Sequence, residues 1–156
     1  MYHFIINPLA ASGKGRDIWK LVEVVLKEEE ISYEAHILRS GEETEELTRR
    51  LTGNGMPCHL VVLGGDGTLN AVLNGIQDFE HTVLSCVRTG SGNDFASNMK
   101  ISKDTVRAVR HLLTEPEEIV LDYGKAEYWY RKNGEEYREA RRFLISSGVG
   151  YDADIC

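Results

Sequence analysis

Leu60-Val61-Val62-Leu63-Gly64-Gly65-Asp66-Gly67-Thr68-Leu69-Asn70 changes character in its middle. Four apolar residues read as a short buried strand, and two glycines stop the run. From Leu69 the pattern is helical, carried by Val72, Leu73 and Ile76. A buried strand that enters a helix through a Gly-rich turn is suited to hold phosphate. Glycine lets the backbone approach an anion closely, and the first-turn N–H groups carry the positive end of the helix dipole. Asp66 in such a turn implies a cation beside the phosphates, because a bare carboxylate would repel them. The same residues also fit a plain strand-to-helix turn with Asp66 as its N-cap.

Working outward, the same plan repeats. Tyr2 to Ile6 is a β-rich run that ends at Asn7-Pro8. A short loop with Ser12, Gly13 and Lys14 follows, and Ile18, Leu21, Val22, Val25 and Leu26 then recur at helical spacing. The loop is not a P-loop, since Pro8 stands where the first glycine belongs and Gly15 replaces the Ser/Thr. Ser32 to Leu38 reads as a strand, with Ser40 or Thr44 capping a helix that runs to Gly53. Val83 to Val87 is a fourth strand. Alternating strands and helices call for parallel crossovers, and ligands of such sheets bind beyond the carboxyl ends of the strands. Asn7, Ser40, Asp66 and Ser91 all lie just past such an end.

Thr89-Gly90-Ser91-Gly92-Asn93-Asp94-Phe95-Ala96 is a second Gly-rich turn, without the third glycine of a dinucleotide fingerprint. It suits contact with ribose, phosphate or a substrate headgroup, or Asn93-Asp94 simply caps the next helix. Val106, Val109, Leu112 and Leu113 mark a helix stopped near Pro116. Ile119 to Asp122 reads as a further strand. Ala126 to Tyr130 and Tyr137 to Ile145 are strands joined around Asn133-Gly134, a type I′ hairpin signal. Their alternation of aromatic and charged residues predicts an exposed ribbon.

Taken together, the Asn7-Pro8 loop, GGDGTLN at residues 64–70 and GSGNDFA at 90–96 resemble the diacylglycerol kinase catalytic domain family, which includes bacterial lipid kinases and sphingosine kinases. GGDGT alone is shared with NAD kinases, so an NAD kinase-like enzyme is the alternative, as is a non-catalytic nucleotide-binding module. The resemblance implies a three-layer, Rossmann-like α/β fold with a mainly parallel sheet, over residues 1–122, and a β-hairpin at 123–156 leading toward a β-rich second domain. It implies ATP-dependent phosphoryl transfer to a lipid hydroxyl. Gly64, Gly65, Gly67 and Thr68 then cradle the ATP phosphates, and Asp66 holds Mg2+ and is the catalytic candidate. Asn7, Ser12, Gly13, Lys14, Ser40, Asn70 and Ser91 fix the nucleotide, while Gly90, Asn93 and Asp94 face the acceptor. Family members continue for about another domain's length, and the general base belongs to that part.

Composition narrows the partners. A net charge of −7 over 156 residues argues against a general nucleic-acid binder. No apolar run approaches the length of a membrane span, and the N-terminus lacks a signal-peptide pattern, so a cytoplasmic protein, peripheral to the membrane where it meets lipid, is the expectation. Cys58, Cys86 and Cys156 have no metal-ligand spacing, and the first two read as buried reduced thiols. Apolar surface left by an absent partner domain makes self-association a further expectation.

Overall fold

A computed structural model of the chain describes residues 1–89 and 93–145. In chain order it runs β1 (Tyr2–Ile6), a single turn α1 (Ala10–Gly13), α2 (Gly15–Glu28), β2 (Tyr33–Ile37), α3 (Gly41–Thr52), β3 (Cys58–Gly64) and α4 (Asp66–Gly75). Then come β4 (Thr82–Arg88), α5 (Asp94–Asn98), α6 (Thr105–Thr114), β5 (Gly124–Lys132) and β6 (Glu135–Phe143). The chain divides into two compact units, one of residues 1–119 and one beginning at Val120.

The first unit holds a four-stranded, fully parallel sheet in the order β2-β1-β3-β4. Alternation along the strands sorts the core into two faces. Phe4, Ile6, Val61, Leu63 and Val87 pack under Trp19, Val22, Val25 and Leu26 of α2 and Val109 of α6. Each such buried side chain contributes about 1.5–3 kcal/mol. The Arg110 guanidinium spans to Glu28 and Glu29 and joins α6 to the end of α2. Leu21, expected in the α2 stripe, is 52% exposed, because the buried face is centred on Trp19, Val22 and Leu26 and leaves Leu21 on its flank.

Helices α3 and α4 pack closely together. A Cβ at Gly75 would stand 2.6 Å from Glu45 O and from Thr48 Cβ, so only glycine permits this approach. Thr44, Thr48 and Thr52 line the buried side of α3, and each hydroxyl donates at 2.8 Å to the carbonyl four residues back. Those bonds let polar residues occupy a buried helix face.

In the second unit β5 and β6 form an antiparallel hairpin. Asn133 and Gly134 both take positive φ, 55° and 84°, as a type I′ turn requires. Trp129 pairs with Arg138, whose guanidinium carbon lies 5.4 Å from the ring centroid, and Tyr130 stacks on Tyr137. Strand β6 ends at Phe143 rather than at Ile145. The strand expected at Ile119 to Asp122 does not form: these residues are irregular and Val120 is fully exposed. Among the described residues no strand pairs with them, and β propensity without a ladder partner does not make a strand.

Candidate functional site at the carboxyl edge of the sheet

β1 leads to β2 on one side and β3 lies on the other, so the chain reverses direction across the sheet between β1 and β3. Ligands of open α/β sheets bind at such a switch point, beyond the carboxyl ends of the strands. The structure has a cleft of about 390 Å³ at this position. All four strand ends contribute. Asn7, Ala10 and Ala11 follow β1, Leu38 to Gly41 and Thr44 follow β2, Gly65, Gly67 and Thr68 follow β3, and Thr89 follows β4.

The turn after β3 is built on a helix cap and one close approach. Gly65 is the N-cap of α4 in extended geometry, and its carbonyl accepts the N–H groups of Thr68 and Leu69. The helix therefore opens at Asp66 rather than Leu69, and Asp66 is its first residue, not its cap. The first N–H groups of a helix have no intrahelical partner; here Gly65 and Gly67 border the cleft, while Asp66 and Gly64 are not among its lining residues. The Thr68 side chain lies directly over Gly64, where a Cβ would stand 2.5 Å from Thr68 Oγ1. Asn7 fixes that side chain. Its Nδ2 donates to Thr68 Oγ1 at 3.2 Å, its Oδ1 accepts Leu9 N–H at 2.9 Å, and its own N–H donates to Leu63 O. One amide thus joins the β1 and β3 loops.

Asp66 joins β3 to the second Gly-rich turn. Its carboxylate accepts the backbone N–H of Asp94 at 2.9 Å and of Phe95 at 3.3 Å. These belong to the first turn of α5, whose own N-cap, Asn93, sits in the left-handed region and supplies no side-chain cap. Asn93 is buried, with Oδ1 3.8 Å from where a Gly65 Cβ would lie. Gly90 and Ser91 lie outside the described residues.

Ser40 both caps α3 and borders the cleft. Its Oγ accepts Glu43 N–H at 3.1 Å, and Glu43 Oε2 accepts Arg39 N–H at 3.1 Å, a variant of the capping box. After β1, Ala11 and Ser12 adopt left-handed backbone with φ of 54° and 58°, followed by Gly13 at 92°. Non-glycine residues there cost roughly 1–2 kcal/mol each, and such strain concentrates at functional sites. Ala11 borders the cleft. Ser12, Gly13 and Lys14 are exposed and do not, and neither does Asn70, which is exposed on α4.

Three polar side chains of the lining were not among the site residues expected from the sequence: Arg39, Thr44 and Thr89. Thr89 is 4% exposed and its Oγ1 has no hydrogen-bond partner among the described residues. An orphaned buried hydroxyl costs about 1–3 kcal/mol, and this one borders the cleft. Its signal in the sequence was position alone, one residue past a strand. Behind the turn, burial and then the Asp66 charge push the Cys86 thiol up to about 12, so it stays protonated. Cys58 and Cys86 are both free thiols, as expected, although only Cys58 is fully buried and Cys86 is half-buried; Cys156 lies outside the described residues.

The site is thus a Gly-rich cleft at the switch point of a parallel α/β sheet, where ligands of open α/β sheets bind. The chain belongs to the diacylglycerol kinase catalytic domain family, whose profile matches residues 1–126. It is 28% identical over 157 residues to a Bacillus subtilis protein named "Putative lipid kinase YtlR", an alignment covering 99% of this chain and 49% of that one. It is 32% identical over 127 residues to a diacylglycerol kinase of Staphylococcus carnosus, covering 78% and 39%. A crystal structure described as a diacylglycerol kinase from Bacillus anthracis superposes with a TM-score of 0.63 at 17% identity, over 87% of this chain and 47% of that one. The chain spans less than half the length of these relatives.

Proposed function

We propose that this chain is the nucleotide-binding part of a lipid kinase that transfers the γ-phosphoryl group of ATP to a lipid hydroxyl, with diacylglycerol as the representative acceptor. The observation that carries the reading is the cleft in which the α4 N-terminus, Asn7, Ser40 and Thr89, whose hydroxyl has no partner among the described residues, converge. The family membership and the names of the relatives support it.

Phosphoryl transfer demands positioning and charge neutralisation more than covalent chemistry from the protein. Gly65, Gly67 and Thr68 present backbone to the phosphates, and Arg39 adds a cation at the rim. Thr89 Oγ1 and Ser40 Oγ are donors for ribose or phosphate oxygens. Asp66 fits a Mg2+ role: a carboxylate has about four lone-pair positions, and two backbone N–H bonds leave others free. Mg2+ is commonly held by one or two carboxylates together with substrate phosphates. It would supply neutralisation of phosphate charge. Asp94, whose N–H is tied to that carboxylate, and Asn93 before it would line the approach of the acceptor hydroxyl. No helix among the described residues is long and apolar enough to cross a membrane, so lipid would be met at a surface.

Calorimetric titration of MgATP into the chain tests the reading. Saturable binding that requires Mg2+ and is lost in Asp66→Ala, with the variant still folded by circular dichroism, is the expected result. A folded wild-type chain that binds no nucleotide overturns it. The longer gene product, assayed for phosphorylation of diacylglycerol in mixed micelles, tests the acceptor.

A further inference from the structure

On the sheet face covered by α3, away from the nucleotide cleft, three side chains converge on one point. His3 Nδ1 and His36 Nε2 are 3.4 Å apart, His3 Nδ1 and Glu34 Oε2 are 3.4 Å apart, and His36 Nε2 and Glu34 Oε2 are 3.7 Å apart. Among the described residues this is the one group of three such ligand atoms gathered within 4.8 Å of one another. We propose that His3, Glu34 and His36 form a zinc site that pins edge strand β2 to β1.

The triangle decides between a hydrogen-bonded cluster and a metal centre. As hydrogen bonds these separations are long, and 3.7 Å is outside the range altogether. Zinc bound tetrahedrally at about 2.0–2.1 Å sets adjacent ligand atoms about 3.3–3.4 Å apart. Both sides that meet at His3 Nδ1 are 3.4 Å, and the third, between His36 and the half-exposed Glu34, is longer at 3.7 Å. Two imidazole nitrogens and a carboxylate oxygen form a ligand set that zinc accepts, with a fourth position open to water.

The scaffold holds the donors in place. β1 and β2 pair in parallel with His3 opposite Glu34 and Ile5 opposite His36, so the backbone ladder sets their spacing before any ion binds. The rings are sheltered, with His3 and His36 side chains 12% and 20% exposed, while Glu34 is 50% exposed and open to solvent. Glu43, Glu46 and Arg50 of α3 line the adjoining groove with His36, two acids against one base. β2 then carries Leu38, Arg39 and Ser40 into the nucleotide cleft, so an ion here would steady the strand that presents them. The site stands independently of what that cleft binds.

The test is titration of ZnCl2 into tag-free, chelator-treated protein by calorimetry, with Co2+ absorption as the geometric readout. One equivalent bound, a tetrahedral Co2+ spectrum and a melting temperature that rises with zinc are expected, all lost in His36→Gln and Glu34→Gln. Circular dichroism of the metal-free variants establishes folding. Glu34 is half exposed, so Glu34→Gln decides the matter if His36→Gln fails to fold. No saturable binding by the folded wild type, or equal binding by a folded variant, overturns the proposal.

Discussion

The Asp66 carboxylate accepts the Asp94 backbone N–H at 2.9 Å and thereby ties the GGDGT turn to the first turn of α5. The same side chain is the proposed Mg2+ ligand, so its two roles separate by substitution. Asp66→Asn keeps an oxygen that accepts one N–H and removes the charge. It should lose about 0.5–2 kcal/mol of stability, the scale of a lost helix cap. MgATP affinity should fall much further. Urea unfolding and calorimetry on the same sample check this, and an unchanged affinity would refute the metal role.

Thr89→Val should behave in the opposite way. The hydroxyl is buried without a partner among the described residues, so an isosteric apolar replacement removes a desolvation cost and leaves stability equal or raised. If that hydroxyl serves the ligand, nucleotide affinity falls. Chemical denaturation paired with MgATP titration reads both.

Gly64→Ala should destabilise by about 1–3 kcal/mol, since the new methyl meets the Thr68 side chain at 2.5 Å. Thr68→Ala should cost less and should recover stability in the Gly64→Ala background. A double-mutant cycle in urea detects this coupling, and additive losses would count against the close approach.

Ala11→Gly should stabilise. Removing the Cβ from a left-handed residue relieves roughly 1–2 kcal/mol, and the freer unfolded chain takes back about 0.4–1 kcal/mol. In α6, Ala108→Gly should cost at least about 1 kcal/mol. Opposite signs for the same chemical change are the outcome to look for in thermal melts.

His59 supplies a pH dependence. Burial holds its imidazole below the usual 6.5, and its Nε2 lies 2.8 Å from Ser85 Oγ. The unfolded state therefore takes up a proton before the folded state does. Stability from the neutral ring is complete above the unfolded value and declines as pH falls through about 6.5 toward the lower folded value. His59→Gln should flatten the wild-type decline between pH 7 and 5 in denaturant titrations.

Periodicity was enough to place the parallel strands, because burial on both faces leaves continuous apolar runs such as Leu60 to Leu63, and glycine ends them. The strands at Tyr2–Ile6 and Tyr33–Ile37 and the Asn133-Gly134 hairpin were legible for similarly local reasons. The run at Ile119 to Asp122 looked the same locally and failed, because a strand needs a neighbour that no local pattern specifies.

The sequence by itself determined the family, the α/β plan and the placing of Asn7, Ser40 and the GGDGT turn at strand ends, since chain order and local propensity carry that information. Tertiary structure alone decided what these residues touch. Asp66 reaches 28 residues along the chain to the Asp94 N–H, Asn7 spans 61 residues to Thr68, and Thr89 becomes a cleft residue only when β4 lies beside β3. His3 meets Glu34 and His36 because β2 pairs beside β1 in one particular register. Such contacts depend on strand order and register, which arise from packing the whole core rather than from any short stretch of chain.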